Sequence, residues 1–140
     1  MKIRIFLSII FILAGVLIYS FYRQDVFFLK PFSGILPSEF CHNTDFNIIC
    51  QFLLFNLPDA LWCAALFLLQ PNPLKEGWNV LIIISILLPF LHEILQGINL
   101  LPGTFDLLDL TLYVIIFIIF LIIWKKEKDS RKAEVFNYSA

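Results

Sequence analysis

The chain has 140 residues, 60% of them hydrophobic and only 15% charged, with a formal net charge of −1 at neutral pH. That balance lies outside the range of soluble globular domains and gives no electrostatic case for nucleic acid. With 16 Phe and a mean hydropathy of +0.88, most side chains call for lipid as their solvent, and the length sets a limit of one domain.

The N-terminal stretch MKIRIFLSIIFILAGVLIYSFYR reads as either a signal peptide or a first transmembrane helix. A signal needs a small-residue cleavage site after a short apolar core. Here the apolar run leads into Tyr19, Phe21 and Tyr22 instead, and this aromatic cluster suits an interfacial belt. The expectation is an uncleaved helix over about residues 3–22, long enough to span. Residues 23–45 carry two prolines, a glycine and mixed charge, and read as an outer loop with short interfacial pieces. His42 in that loop is simplest as a solvated histidine.

Residues 46–70 have the length of one span, interrupted by Asn56-Leu57-Pro58-Asp59. Proline suits a first helical turn and asparagine a helix N-cap, so the segment is either one bent helix or an interfacial piece followed by a fresh helix near Pro58. Asp59 then serves either a helix start, where free N–H groups favour a carboxylate, or the polar site described below. A turn, PNPLKEG, precedes a third helix over about 78–96, which Pro89 should kink by freeing the Ser85 carbonyl. A short connection, GINLLPGTF, leads to a fourth helix over about 105–124, and 125–140 forms a polar cytoplasmic tail.

Three cysteines, Cys41, Cys50 and Cys63, match no zinc spacing. Cys63 reads as a small buried hydrophobe, while Cys41 and Cys50 lie on the outer side, where a disulfide is the alternative to free thiols. Of the ten basic residues, Lys2, Arg4, Lys75, Lys125, Lys126, Lys128, Arg131 and Lys132 fall on one side of the four spans, and only Arg23 and Lys30 on the other. The positive-inside rule then makes both termini cytoplasmic. The expected fold class is all-α: a polytopic membrane protein with four transmembrane helices in a single membrane domain.

The polar residues concentrate between the last two apolar runs, in HEILQGINLLPGTFDLLDLTLY. Ionisable groups at membrane depth are costly and call for a functional explanation. Glu93 stands fifteen residues from Trp78, and Asp109 fifteen from Trp124. At 1.5 Å per residue both come out about 22 Å above the inner boundary of a core roughly 30 Å thick. Asp59, eleven residues from Gln70, comes out at about 16 Å. Asp106, Asp109 and Tyr113 follow i, i+3, i+7 spacing, while Glu93 and Gln96 are three apart and His92 and Gln96 four apart. The two helices, joined by a short loop, are expected to pack as antiparallel neighbours with these faces turned inward. No lysine or arginine lies within the spans, which leaves protonation, His92, a loop base (Arg23 or Lys30) or a bound cation to balance the acids. The alternative is structural, with the acids capping helix ends and Asp106 the N-cap of the fourth helix. No GxSxG, HExxH, P-loop or glycine-rich dinucleotide turn is present, and His92-Glu93 lacks the second histidine of a zinc motif.

Glu93-Ile94-Leu95-Gln96 at a helix end, followed after a short loop by Gly103-Thr104-Phe105-Asp106-Leu107-Leu108-Asp109, resembles the VanZ-like membrane proteins. In that family a Glu-x-x-Gln precedes a Gly-Arg start and a helix with spaced Asp residues. Leu57-Pro58-Asp59-Ala60-Leu61-Trp62 resembles the opening of an earlier family helix, and the likeness covers roughly residues 52–120. The family arginine is absent, with Gly103 or Thr104 in its region. Tyr113 stands where the helix asparagine is expected, and Phe117 in the lower glycine region. The resemblance implies a bacterial cytoplasmic membrane, a role at the cell envelope and a link to resistance to the glycopeptide teicoplanin.

The leading expectation is an outward-facing acidic pocket of Glu93, Gln96, Asp106 and Asp109, with Asp59, His92 and Tyr113 as neighbours. Besides the lipid bilayer, its partner would be an envelope lipid, an amine-bearing ligand or a cation, with no resident metal or cofactor. One alternative is a small non-catalytic subunit docked on a membrane-protein partner. Another is a membrane enzyme acting on a lipid-linked substrate with a metal held by the carboxylates.

Overall fold

Backbone in hydrocarbon finds no water to bond, so long apolar runs close their hydrogen bonds internally as helices. A computed structural model describes residues 2–22 and 48–138, and four of its helices are long and apolar enough to cross a membrane. They are α1 (Lys2–Tyr22), α2 (Ile48–Leu69), α4 (Val80–Gly97) and α5 (Leu107–Tyr138); a one-turn helix, α3 (Pro73–Glu76), lies between α2 and α4. Cys41, His42, Arg23 and Lys30 lie outside the described residues, and so does the side chain of Cys50, which leaves the expected outer loop and the disulfide alternative outside them too.

Hydrogen bonds and ring contacts fix the helix directions. Ser8 Oγ donates to the Ala65 carbonyl at 3.0 Å, the Trp62 indole N–H to the Ile12 carbonyl at 3.3 Å, and the Tyr19 hydroxyl to Asp59 Oδ2 at 2.7 Å. Rising numbers on α1 meet falling numbers on α2, so the two are antiparallel. The Trp62 ring lies directly over Gly15, where a Cβ would stand 2.9 Å from Trp62 Cδ1. Small residues at such crossings let backbones approach closely, and packing of this kind holds helices together in lipid.

The central helix is α2, which also contacts α4 and α5. Phe67 packs edge-on against Phe117 and Phe120, with ring centroids 6.0 and 5.6 Å apart. Asn56 reaches Asp109 at the other end of the pair, so α2 and α5 run parallel. Tyr113 meets the Phe90 ring edge-on at 5.8 Å, and Glu93 accepts from the Asp106 N–H, which makes α4 and α5 antiparallel. The core consists of Cys63, Phe67, Ile82, Ile86, Tyr113, Phe120 and Trp124. Large apolar side chains such as Phe6, Leu13, Leu81, Leu88 and Ile122 stay exposed, as a lipid-facing surface requires.

One pair of alternatives is resolved in favour of the single helix, and two local readings change. Residues 48–69 form one continuous helix with Pro58 inside it, so no fresh helix starts there and Asn56 is not an N-cap. The PNPLKEG turn contains α3, capped by Asn72 Oδ1, which accepts from the Leu74 N–H at 3.0 Å. The expected polar tail continues α5 to Tyr138. Lys, Glu, Arg and Ala dominate that stretch and all favour helix, and a helix already formed in the membrane needs no new nucleation.

At the end where α1 begins, a polar knot joins three segments. Arg4 donates to Glu127 Oε1 at 3.0 Å and to the Gln70 carbonyl at 3.4 Å. Asn72 Nδ2 donates to Glu127 Oε2 at 3.0 Å and to the Trp124 carbonyl at 2.8 Å, and Lys75 Nζ stands 4.0 Å from Glu127. Eighteen residues of α5 separate Glu127 from Asp109, about 27 Å of helix against a hydrocarbon core of roughly 30 Å. The acids therefore gather near the opposite boundary of the apolar belt.

Candidate functional site

At that opposite end α4 finishes, α5 starts, and both α1 and α2 pass close by. Asp106 precedes α5, and its Oδ1 accepts from the Leu108 N–H at 2.8 Å, the geometry of an N-cap. Its other oxygen, Oδ2, accepts from Asn56 Nδ2 at 3.1 Å. The same Asn56 amide donates to Asp109 Oδ1 at 2.9 Å. One neutral side chain from the central helix thus clamps the capping acid Asp106 and the first-turn acid Asp109 of α5.

Glu93 comes in from α4 and accepts the Asp106 backbone N–H on Oε2 at 3.2 Å. Asn56, Glu93 and Asp109 are 3, 3 and 6% exposed. Burying carboxylates is costly unless hydrogen bonds replace lost water, and among the described residues the donors to Glu93, Asp106 and Asp109 are an amide and backbone N–H groups, all neutral. The ion pairs found among the described residues, Arg4–Glu127 and Lys75–Glu127, both lie at the far end. Among the described residues, oxygen acceptors outnumber donors here, and such an environment attracts protons or a positively charged group.

The other expected residues separate. Asp59 turns towards α1 and the Tyr19 hydroxyl, yet remains in electrostatic range of Glu93 and Asp109. Tyr113 is 4% exposed, one turn below Asp109 and against Phe90. Gln96 does not join the carboxylates: its Nε2 donates to the Pro102 carbonyl at 3.2 Å and braces the loop. Gly103 has φ +137, so the loop needs the backbone freedom of glycine there, and a Cβ would push against the end of the Gln96 side chain. His92 is exposed on α4 and acts on Glu93 only through electrostatics. Adjacent helical residues point about 100° apart, so burying Glu93 turns His92 outward.

Asn56 was missed as a site residue because it resembles a cap. A signal was available: Asn56, Asp59 and Cys63 repeat the i, i+3, i+7 spacing of Asp106, Asp109 and Tyr113. Among the described residues, no group of three or more His, Cys, Asp or Glu is placed to hold a metal ion. Comparison with known protein families, with curated proteins and with solved structures found no match.

Proposed function

We propose that this chain is a VanZ-like, four-span protein of the bacterial cytoplasmic membrane whose acid site near the outer boundary binds a positively charged group from the envelope side. The observation that carries this reading is the Asn56 clamp: two acids held side by side on neutral donors, with buried Glu93 beside them. An amine-bearing envelope component or drug, or a simple cation, supplies positive charge to these acids. The Glu93-x-x-Gln96 and Asp106-x-x-Asp109 resemblance supports the envelope setting and a link to glycopeptide resistance.

The test is expression of the wild-type chain and the Glu93→Gln/Asp109→Asn double variant in a teicoplanin-sensitive bacterium. The wild type should raise the inhibitory concentration several-fold. The double variant, present in the membrane at equal level, should not. Equal resistance from both would sink the acid site as the functional centre, and no effect of the wild type would sink the link to resistance.

In this reading both termini are cytoplasmic, following the eight-to-two division of basic residues. In a background carrying Cys41→Ser and Cys50→Ser, an exposed Thr104→Cys should react with a membrane-impermeant maleimide on intact cells. Ser130→Cys, also exposed, should react only after the cells are opened. The reverse pattern would invert the topology and place the acid site on the cytoplasmic side.

A further inference from the structure

We infer that the acid site takes a primary ammonium group, held between Glu93, Asp109 and the Tyr113 hydroxyl. This rests on the cation-binding reading above and names which cation. Glu93 Oε2 and Asp109 Oδ1 are engaged by the Asp106 N–H and by Asn56. Among the described residues, Glu93 Oε1, Asp109 Oδ2 and Tyr113 Oη have no hydrogen-bond partner. The three side chains are only 3, 6 and 4% exposed, yet the one fully enclosed side-chain polar atom without a partner among the described residues is Trp124 Nε1. Each of these three oxygens therefore keeps a little accessible surface on an otherwise buried residue.

Tyr113 is directed towards Asp109 by its helix. Long side chains on a helix lean back over the preceding turn, which here is the turn of Asp109. The edge-on contact with Phe90 holds the ring, and the hydroxyl is in electrostatic range of Asp59, Asp109 and Glu93. An RNH3+ group carries three N–H donors, one for each open oxygen. A tetraalkylammonium has no donor and favours the face of an aromatic ring. A proton satisfies one oxygen and leaves two. Among the described residues, no three carboxylate, histidine or cysteine side chains are placed around a common metal position. The ammonium comes either from a soluble amine or from a lipid headgroup of the ethanolamine type, since both present the same group.

The experiment uses the full chain in phosphatidylcholine nanodiscs, titrated calorimetrically with ethylammonium, tetramethylammonium and sodium chlorides at fixed ionic strength. Ethylammonium should bind at least about tenfold more tightly than either other ion, the size expected for hydrogen bonds to charged acceptors. Tyr113→Phe keeps the ring and should weaken ethylammonium about five- to tenfold while leaving the other two ions unchanged. If tetramethylammonium or sodium binds the wild type as tightly as ethylammonium, the primary-ammonium assignment is overturned and the cation reading stands. If no cation titrates, both fall. The wild-type comparison decides even if the variant unfolds. Replacing phosphatidylcholine with phosphatidylethanolamine identifies the source: suppression of the ethylammonium heat assigns it to the headgroup, and an unchanged heat to a soluble amine.

Discussion

Asn56→Leu should destabilise the bundle by roughly 2–6 kcal/mol, although it makes a transmembrane helix more apolar. Two hydrogen bonds to carboxylates disappear, and each acceptor left without its donor costs about 1–3 kcal/mol. Thermal unfolding in mild detergent measures the loss. A double-mutant cycle identifies its cause: in an Asp109→Leu background, Asn56→Leu should cost clearly less, because one acceptor no longer needs a donor. Strictly additive losses would mean that Asn56 and Asp109 do not interact. Asn56→Leu should also abolish cation binding, because Asp106 and Asp109 lose the group that holds them side by side.

Gly15→Leu should weaken the α1–α2 pairing by about 1–3 kcal/mol through overpacking, or by more if the helices cannot shift. A Cβ at residue 15 already meets the Trp62 ring, with Cδ1 at 2.9 Å and Cε2 at 3.1 Å. Displacing that ring also breaks the Trp62 bond to the Ile12 carbonyl and disturbs the neighbouring Tyr19–Asp59 contact. Trp62→Ala in the same chain should recover part of the loss by opening space. A Gly15→Leu protein that melts with the wild type would show that the two helices are not in close contact at this point.

These two residues mark the limit of what local pattern can show. The Glu93–Asp109 hairpin was legible because charges between long apolar runs stand out, and because helical spacing puts Asp106, Asp109 and Tyr113 on one face. Asn56 and Gly15 gave no comparable signal. An asparagine two residues before a proline has the local pattern of an N-cap, and a glycine in an apolar run looks incidental until a tryptophan from another helix covers it. His92 and Gln96 show the converse. Both lie beside Glu93 in the chain, but the helical turn directs one outward, and the loop carbonyl of Pro102 engages the other. The Arg4–Glu127 contact joins residues 123 positions apart, and no local pattern encodes it.

Four apolar helices and the polar break between the last two are readable from the chain alone, because the length and hydropathy of a run decide where it is stable. Only the tertiary structure decided that α2 lies at the centre, that Asn56 clamps Asp106 to Asp109, and that Asp59 turns to Tyr19. Those choices depend on which faces meet once the helices pack. A face buried against lipid and a face buried against a neighbouring helix carry the same apolar residues, so their pattern along the chain cannot tell them apart.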